Sequence, residues 1–92
     1  MLDVYADWCT SCITLDNMIF SKPVVQESLK DHLWVKIDIT NNKEEHFHFL
    51  SQHNLFGPPA VLFFENDGRE LEELRILGEI SLEDFLLHIN NI

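Results

Sequence analysis

The stretch Leu2-Asp3-Val4-Tyr5-Ala6-Asp7-Trp8-Cys9-Thr10-Ser11-Cys12 decides the reading of this chain. Residues 1–6 alternate, with Leu2, Val4 and Ala6 on one face and Met1 and Tyr5 on the other, the pattern of a buried strand. Asp7-Trp8-Cys9 forms a turn. A helix is expected from about Cys9 to Phe20, with Leu15, Met18 and Ile19 at helical spacing. The two cysteines therefore stand where a strand hands over to a helix. A cysteine there meets unpaired backbone N–H groups and the positive end of the helix dipole, and both stabilise a thiolate. Cys9, at the exposed edge, is the expected nucleophile. Cys12, one turn further in on the same face, is the expected buried resolving thiol. Residues three apart on a helix have Cβ atoms roughly 5–6 Å apart, and the first turn can tighten enough to close a disulfide.

A C-x-x-C pair alone also describes half of a zinc site. Zinc needs two further ligands, and His32, His46, His48, His53 and His88 show no partner spacing. His46 and His48, two apart in an expected helix, do not share a face. With two cysteines in the whole chain, a disulfide-stapled scaffold is excluded and a redox pair is the leading reading. No metal and no cofactor beyond the Cys9–Cys12 disulfide is expected.

Three features around the pair extend it. Asp3 is a carboxylate in an otherwise apolar strand, and burial there raises its pKa toward the range useful for proton transfer. Its alternative is a solvent-facing position on an edge strand. Asp16 lies four residues past Cys12 and seven past Cys9, on the same helical face, where it is either a second carboxylate near the thiols or an exposed helix charge. Gly57-Pro58-Pro59-Ala60 leads into a strand. A cis Pro59 turns the Pro58 backbone outward toward an extended segment of a partner, with only its carbonyl available because proline has no N–H. An ordinary trans loop is the alternative. Trp8, Pro58 and Pro59 are thus the expected docking residues.

Further along, Pro23 suits the first turn of a short helix ending at Leu29. Residues 32–40 alternate Leu33, Val35, Ile37 and Ile39 as a strand, and Lys43 to Gln52 reads as a helix with Phe47 and Leu50 inward. A strand from Ala60 to Glu65 turns at Asn66-Asp67-Gly68 and returns through Glu70 to Leu77. Ser81, with Asp84 three residues on, starts a last helix carrying Leu82, Phe85, Leu86 and Ile89. The order β-α-α-β-α-β-β-α is an α/β fold, a mixed sheet with helices on both faces.

The 92 residues make one domain, near the lower limit for a self-sufficient core. Sixteen acidic against six basic residues give a net charge of −10, which excludes nucleic acid and anionic membrane as partners of this surface. No apolar run reaches the roughly 18 residues of a membrane span, and no signal-peptide pattern is visible. Because the chain opens directly on a strand, it reads as a piece of a longer polypeptide. A monomer is expected.

Asp3-x-x-x-Asp7-Trp8-Cys9-x-x-Cys12, the Gly57-Pro58-Pro59 loop and Asn66-Asp67-Gly68 together resemble the thioredoxin family along nearly the whole chain, without that family's usual first strand and helix. Residues 2–9, Asp16, Phe20-Ser21-Lys22-Pro23-Val24-Val25 and Leu62-Phe63-Phe64 more narrowly resemble the C-terminal domains of DsbD-type thiol:disulfide interchange proteins. That resemblance implies a periplasmic protein-disulfide reductase domain, tethered to the bacterial inner membrane and connected with cytochrome c biogenesis. Such a domain takes electrons from the cysteine pair of a membrane core and hands them to a periplasmic partner domain. It also implies that Asp3 and Asp16 tune the nucleophile. A free thioredoxin-like reductase or isomerase, or a non-catalytic binding or metal module, is the alternative. Thr10-Ser11 departs from the Gly-Pro of thioredoxins, Ile13 stands for the usual Lys, and Ala60 for a common Thr. The dipeptide between the cysteines tunes reduction potential, so Thr10-Ser11 bears on the direction of electron flow.

Overall fold

A computed structural model describes residues 1–90. They form a mixed four-stranded sheet in the order β2-β1-β3-β4, with β1 Leu2–Tyr5, β2 Val35–Asp38, β3 Ala60–Leu62 and β4 Ile76–Leu77. β1 pairs in parallel with β2, placing Asp3 opposite Lys36, and antiparallel with β3, placing Asp3 opposite Val61. The helices are α1 Thr10–Leu15, α2 Pro23–Ser28, α3 Glu44–Gln52 and α4 Leu82–Ile89. Among the described residues no helix is long and apolar enough to cross a membrane.

Strand alternation divides the interior in two. On one side Val61, Phe63 and Ile76 pack with Leu15, Ile19, Phe20 and Val25, and with Phe85 and Ile89 of α4. Phe85 is fully buried, and Phe20 meets both its ring and that of Trp34 edge-on at 5.6 and 5.1 Å. On the other side Val4, Ala60 and Leu62 pack with Ile39, Leu50 and Leu55, and Cys9 and Cys12 belong to this second cluster. Helices thus cover both faces, as expected.

Several elements differ from the sequence expectation. The helix expected over 9–20 is α-helical only to Leu15, and Asp16–Phe20 is a π-helical segment. Its wider turn buries Ile19 and Phe20 side by side and leaves Met18 exposed, where a uniform α-helix would have put Met18 inward. The strand over 32–40 shortens to β2 and lies at the sheet edge, so Leu33 and Val35 are exposed and the inward face begins at Ile37. In α3 the inward residues are Leu50 and Phe49, while Phe47 faces out.

The hairpin turn forms, with the Gly68 N–H donating to the Glu65 carbonyl and Glu65 and Arg69 paired by backbone. Its return limb is not a continuous strand. After the Phe64–Glu70 bridge a 3-10 turn, Glu72–Leu74, interrupts it before β4. The Arg75 guanidinium closes that detour with two bonds to Glu70, at 2.5 and 2.8 Å, a bidentate pair mostly shielded from solvent. α4 begins as expected, the Ser81 hydroxyl accepting from the Asp84 N–H.

Candidate active site

Cys9 and Cys12 are joined as a disulfide, with Cα atoms 5.2 Å apart. Cys9 is the residue immediately before α1, and its sulfur accepts the Cys12 N–H at 3.1 Å, so the thiol itself caps the helix. A backbone donor already aimed at Cys9 Sγ favours the thiolate. The Cys12 sulfur lies over the Val4 carbonyl at 4.0 Å. Cys9 is not open at an edge, as the sequence reading expected. It is 7% exposed against 3% for Cys12, because the turn that bonds its N–H to the Ala6 carbonyl folds it back against the sheet. The order of access is nevertheless the expected one.

Asp3 sits on a central strand, not at an edge, and is 3% exposed. Its cross-strand neighbour Val61 packs with Leu15 and Ile19, so the carboxyl faces the helix that carries the cysteines. Its Oδ2 is buried without a hydrogen-bond partner. Desolvation pushes its pKa up to about 6, with Lys36 pulling down and Asp16 pushing up more weakly. Asp16 is half-buried and pairs with Lys36 Nζ at 3.0 Å, and the same ammonium lies 4.2 Å from the centre of the Tyr5 ring. Asp3, Lys36 and Asp16 therefore form one charge cluster beneath the cysteine helix.

The Pro58–Pro59 bond is cis. The Pro59 carbonyl accepts from the Gly78 N–H, and Gly57, Pro58 and Pro59 line a cleft of about 370 Å³ with Phe56, Leu77 and Gly78. Trp8 is half-exposed, and its indole N–H is anchored on the Thr40 carbonyl at 3.1 Å. Phe56 is fully exposed beside the proline loop. The His46 ring accepts the Lys43 N–H, His88 donates to the Leu74 carbonyl, and His53 stacks on Phe49 near Glu70. Each of these three thus has a local structural partner.

Two site residues escaped the sequence reading. Lys36 looked like an ordinary polar position of an alternating strand, and only the parallel register places it beside Asp3. Glu79, whose carboxylate accepts the Ser11 hydroxyl at 2.9 Å, is 68 residues away in the chain. No local pattern signals such a contact.

Residues 1–66 match the family model described as thioredoxin-like. Over its full length the chain is 38% identical to the thiol:disulfide interchange protein DsbD of Yersinia enterocolitica, and covers 16% of that protein. It is 42% identical over 81 residues to the thiol:disulfide interchange protein DsbD 1 of Pseudomonas aeruginosa, covering 14% of it. Among solved structures, the oxidised DsbD C-terminal domain of Neisseria meningitidis superposes with a TM-score of 0.86 at 33% identity, over 98% of this chain and 76% of that one. A thioredoxin from Thermus thermophilus, at 17% identity, shares the fold with a TM-score of 0.80. With its cysteine pair, buried carboxyl and cis-proline loop arranged as described, this chain belongs to the thioredoxin-like family and, within it, to the C-terminal domains of DsbD.

Proposed function

We propose that this domain is a protein-disulfide reductase that passes electrons by dithiol–disulfide exchange. In the reduced domain the Cys9 thiolate attacks one sulfur of a partner's disulfide, forming a mixed disulfide and releasing one partner thiolate, which takes up a proton. Cys12 then attacks Cys9 Sγ, its proton passing to Asp3. The Cys9–Cys12 bond forms as the Cys9–partner bond breaks, and Asp3 returns the Cys12 proton to the departing partner thiolate. Two electrons have then moved to the partner, with one proton from Cys12 and the other from solvent. Asp16 acts on Asp3 through space and by holding Lys36, and Trp8, Pro58 and Pro59 flank the arriving segment. The disulfide itself is the redox group, with no metal or other cofactor.

The observation that carries this reading is the Cys9–Cys12 disulfide at the start of α1, with Cys9 Sγ accepting the Cys12 N–H and the buried Asp3 carboxyl on the side that the same helix covers. In the proposed setting the domain belongs to a longer, membrane-tethered polypeptide. It faces the periplasm as a monomer, drawing electrons from a membrane core and delivering them to a periplasmic partner domain. The names of the DsbD relatives, and the small share of their length that this chain spans, support that setting. The test is reduction of insulin disulfides by the pre-reduced domain. Cys9→Ser is expected to abolish it, and equal rates for Cys9→Ser and wild type overturn the assignment.

A further inference from the structure

Ser11 lies between the two cysteines, and its hydroxyl donates to Glu79 Oε2 at 2.9 Å. Glu79 follows Gly78, the residue whose N–H bonds the Pro59 carbonyl. Gly78 has a φ of +88°, a conformation that side chains other than glycine rarely adopt. That turn lets one short segment reach the proline loop with its backbone and the cysteine turn with its next side chain. The two walls of the site are thus fastened to each other through Gly78 and Glu79.

The bond also brings a carboxylate to the turn that carries the reactive sulfur. The other carboxylates around that turn are Asp3, Asp7 and Asp16, each in a different setting. Asp16 pairs with Lys36, and Asp7 accepts the Tyr5 hydroxyl at 2.8 Å. Asp3 is held near a pKa of about 6 by burial. A negative charge near a thiol opposes its ionisation. At a pH where the thiolate of a dithiol is populated, a charge that disfavours it destabilises the reduced form and makes the pair a stronger reductant.

We propose that Glu79 is a positioning residue of the redox site. Held by the Ser11 hydroxyl, its carboxylate opposes ionisation of Cys9 and keeps the pair reducing. The unfamiliar serine of Cys9-Thr10-Ser11-Cys12 then has a specific task, which is to hold that charge in place. This inference rests on Cys9 being the attacking thiol.

The test uses the reduced domain and iodoacetamide, with no partner protein. Alkylation rates are followed across a pH series at low and high salt, and the first modified cysteine is located by peptide mass. Wild type is compared with Glu79→Gln, Ser11→Ala and the double variant. The reduction potential of each is measured against glutathione, and thermal unfolding confirms that each is folded. Glu79→Gln, which keeps an acceptor for Ser11 and removes only the charge, is expected to lower the Cys9 midpoint by about half a unit and make the potential less negative. The shift shrinks at high salt, because the charge is exposed. Ser11→Ala shifts the midpoint the same way by less, and adds nothing to Glu79→Gln. An unchanged midpoint in Glu79→Gln, or a shift insensitive to salt, overturns the proposal. First alkylation at Cys12 overturns the attacking role of Cys9 and this proposal with it, whereas failure of insulin reduction with a normal Cys9 profile overturns only the reductase reading.

Discussion

Asp3 and Lys36 stand opposite each other across the parallel β1–β2 pairing, yet the Lys36 ammonium bonds Asp16 and leaves Asp3 Oδ2 without a partner. The lysine acts on Asp3 through space, as a nearby positive charge that restrains the rise caused by burial. Lys36→Met is therefore expected to raise the Asp3 pKa above about 6, as read by carboxyl chemical shifts over a pH titration. The Lys36–Asp16 pair is partly exposed at the surface, so the cost to stability is about 0–1 kcal/mol. An unmoved Asp3 titration would show that the two charges are uncoupled.

The raised pKa of Asp3 has a definite sign for stability. Folding moves it from the ordinary 3.8 to about 6, so the native state binds this proton more tightly than the unfolded chain. The associated stability is full below about pH 4 and is lost as pH rises through about 6, a loss on the order of 3 kcal/mol. Asp3→Asn removes that dependence. Urea unfolding is expected to show the variant gaining on wild type between those limits, and a constant difference across the window would refute the assignment.

Cys12→Ser leaves Cys9 able to attack but removes the thiol that frees it. Incubation with a disulfide substrate is expected to accumulate a mixed disulfide, visible by mass and reversed by dithiothreitol. Full turnover by Cys12→Ser would remove the resolving role from Cys12.

Phe85 is wholly buried against Phe20, at a distance from the cysteines' own cluster. Phe85→Ala should cost about 3–5 kcal/mol in denaturant unfolding. The variant that remains folded should titrate at Cys9 like wild type. A shifted Cys9 profile would mean that the two clusters are coupled.

Residue patterns that depend on neighbours in sequence were legible, and those that depend on partners across the fold were not. The alternation of Leu2, Val4 and Ala6 located β1, and the Ser81–Asp84 spacing located the start of α4. Asp16 to Phe20 carries apolar residues that suit an α or a π period equally, so the widened turn had no sequence signal. Leu71, Leu74 and Ile76 mimic a strand closely enough to hide the 3-10 detour that Arg75 and Glu70 fasten. At the site, Cys9, Cys12 and Asp3 announced themselves by spacing or by a charge out of place. Lys36 and Glu79 are ordinary surface residues until register and loop closure bring them to it.

The division of the interior into two clusters gives the domain separable duties. Leu15, Ile19 and Phe20, downstream of the cysteines, anchor their helix in the cluster around Phe85, while Cys9 and Cys12 rest in the other, among Val4, Ile39 and Leu55. The disulfide thus borders the neighbourhood of α3 and the proline loop, while its helix is anchored in the other cluster. Variation around Phe85 is expected to adjust the robustness of the domain to heat or denaturant more than its electron transfer, except where it reaches Asp3 beside Val61. Variation around Leu55 alters the loop that meets the partner, and there durability and chemistry cannot be adjusted independently.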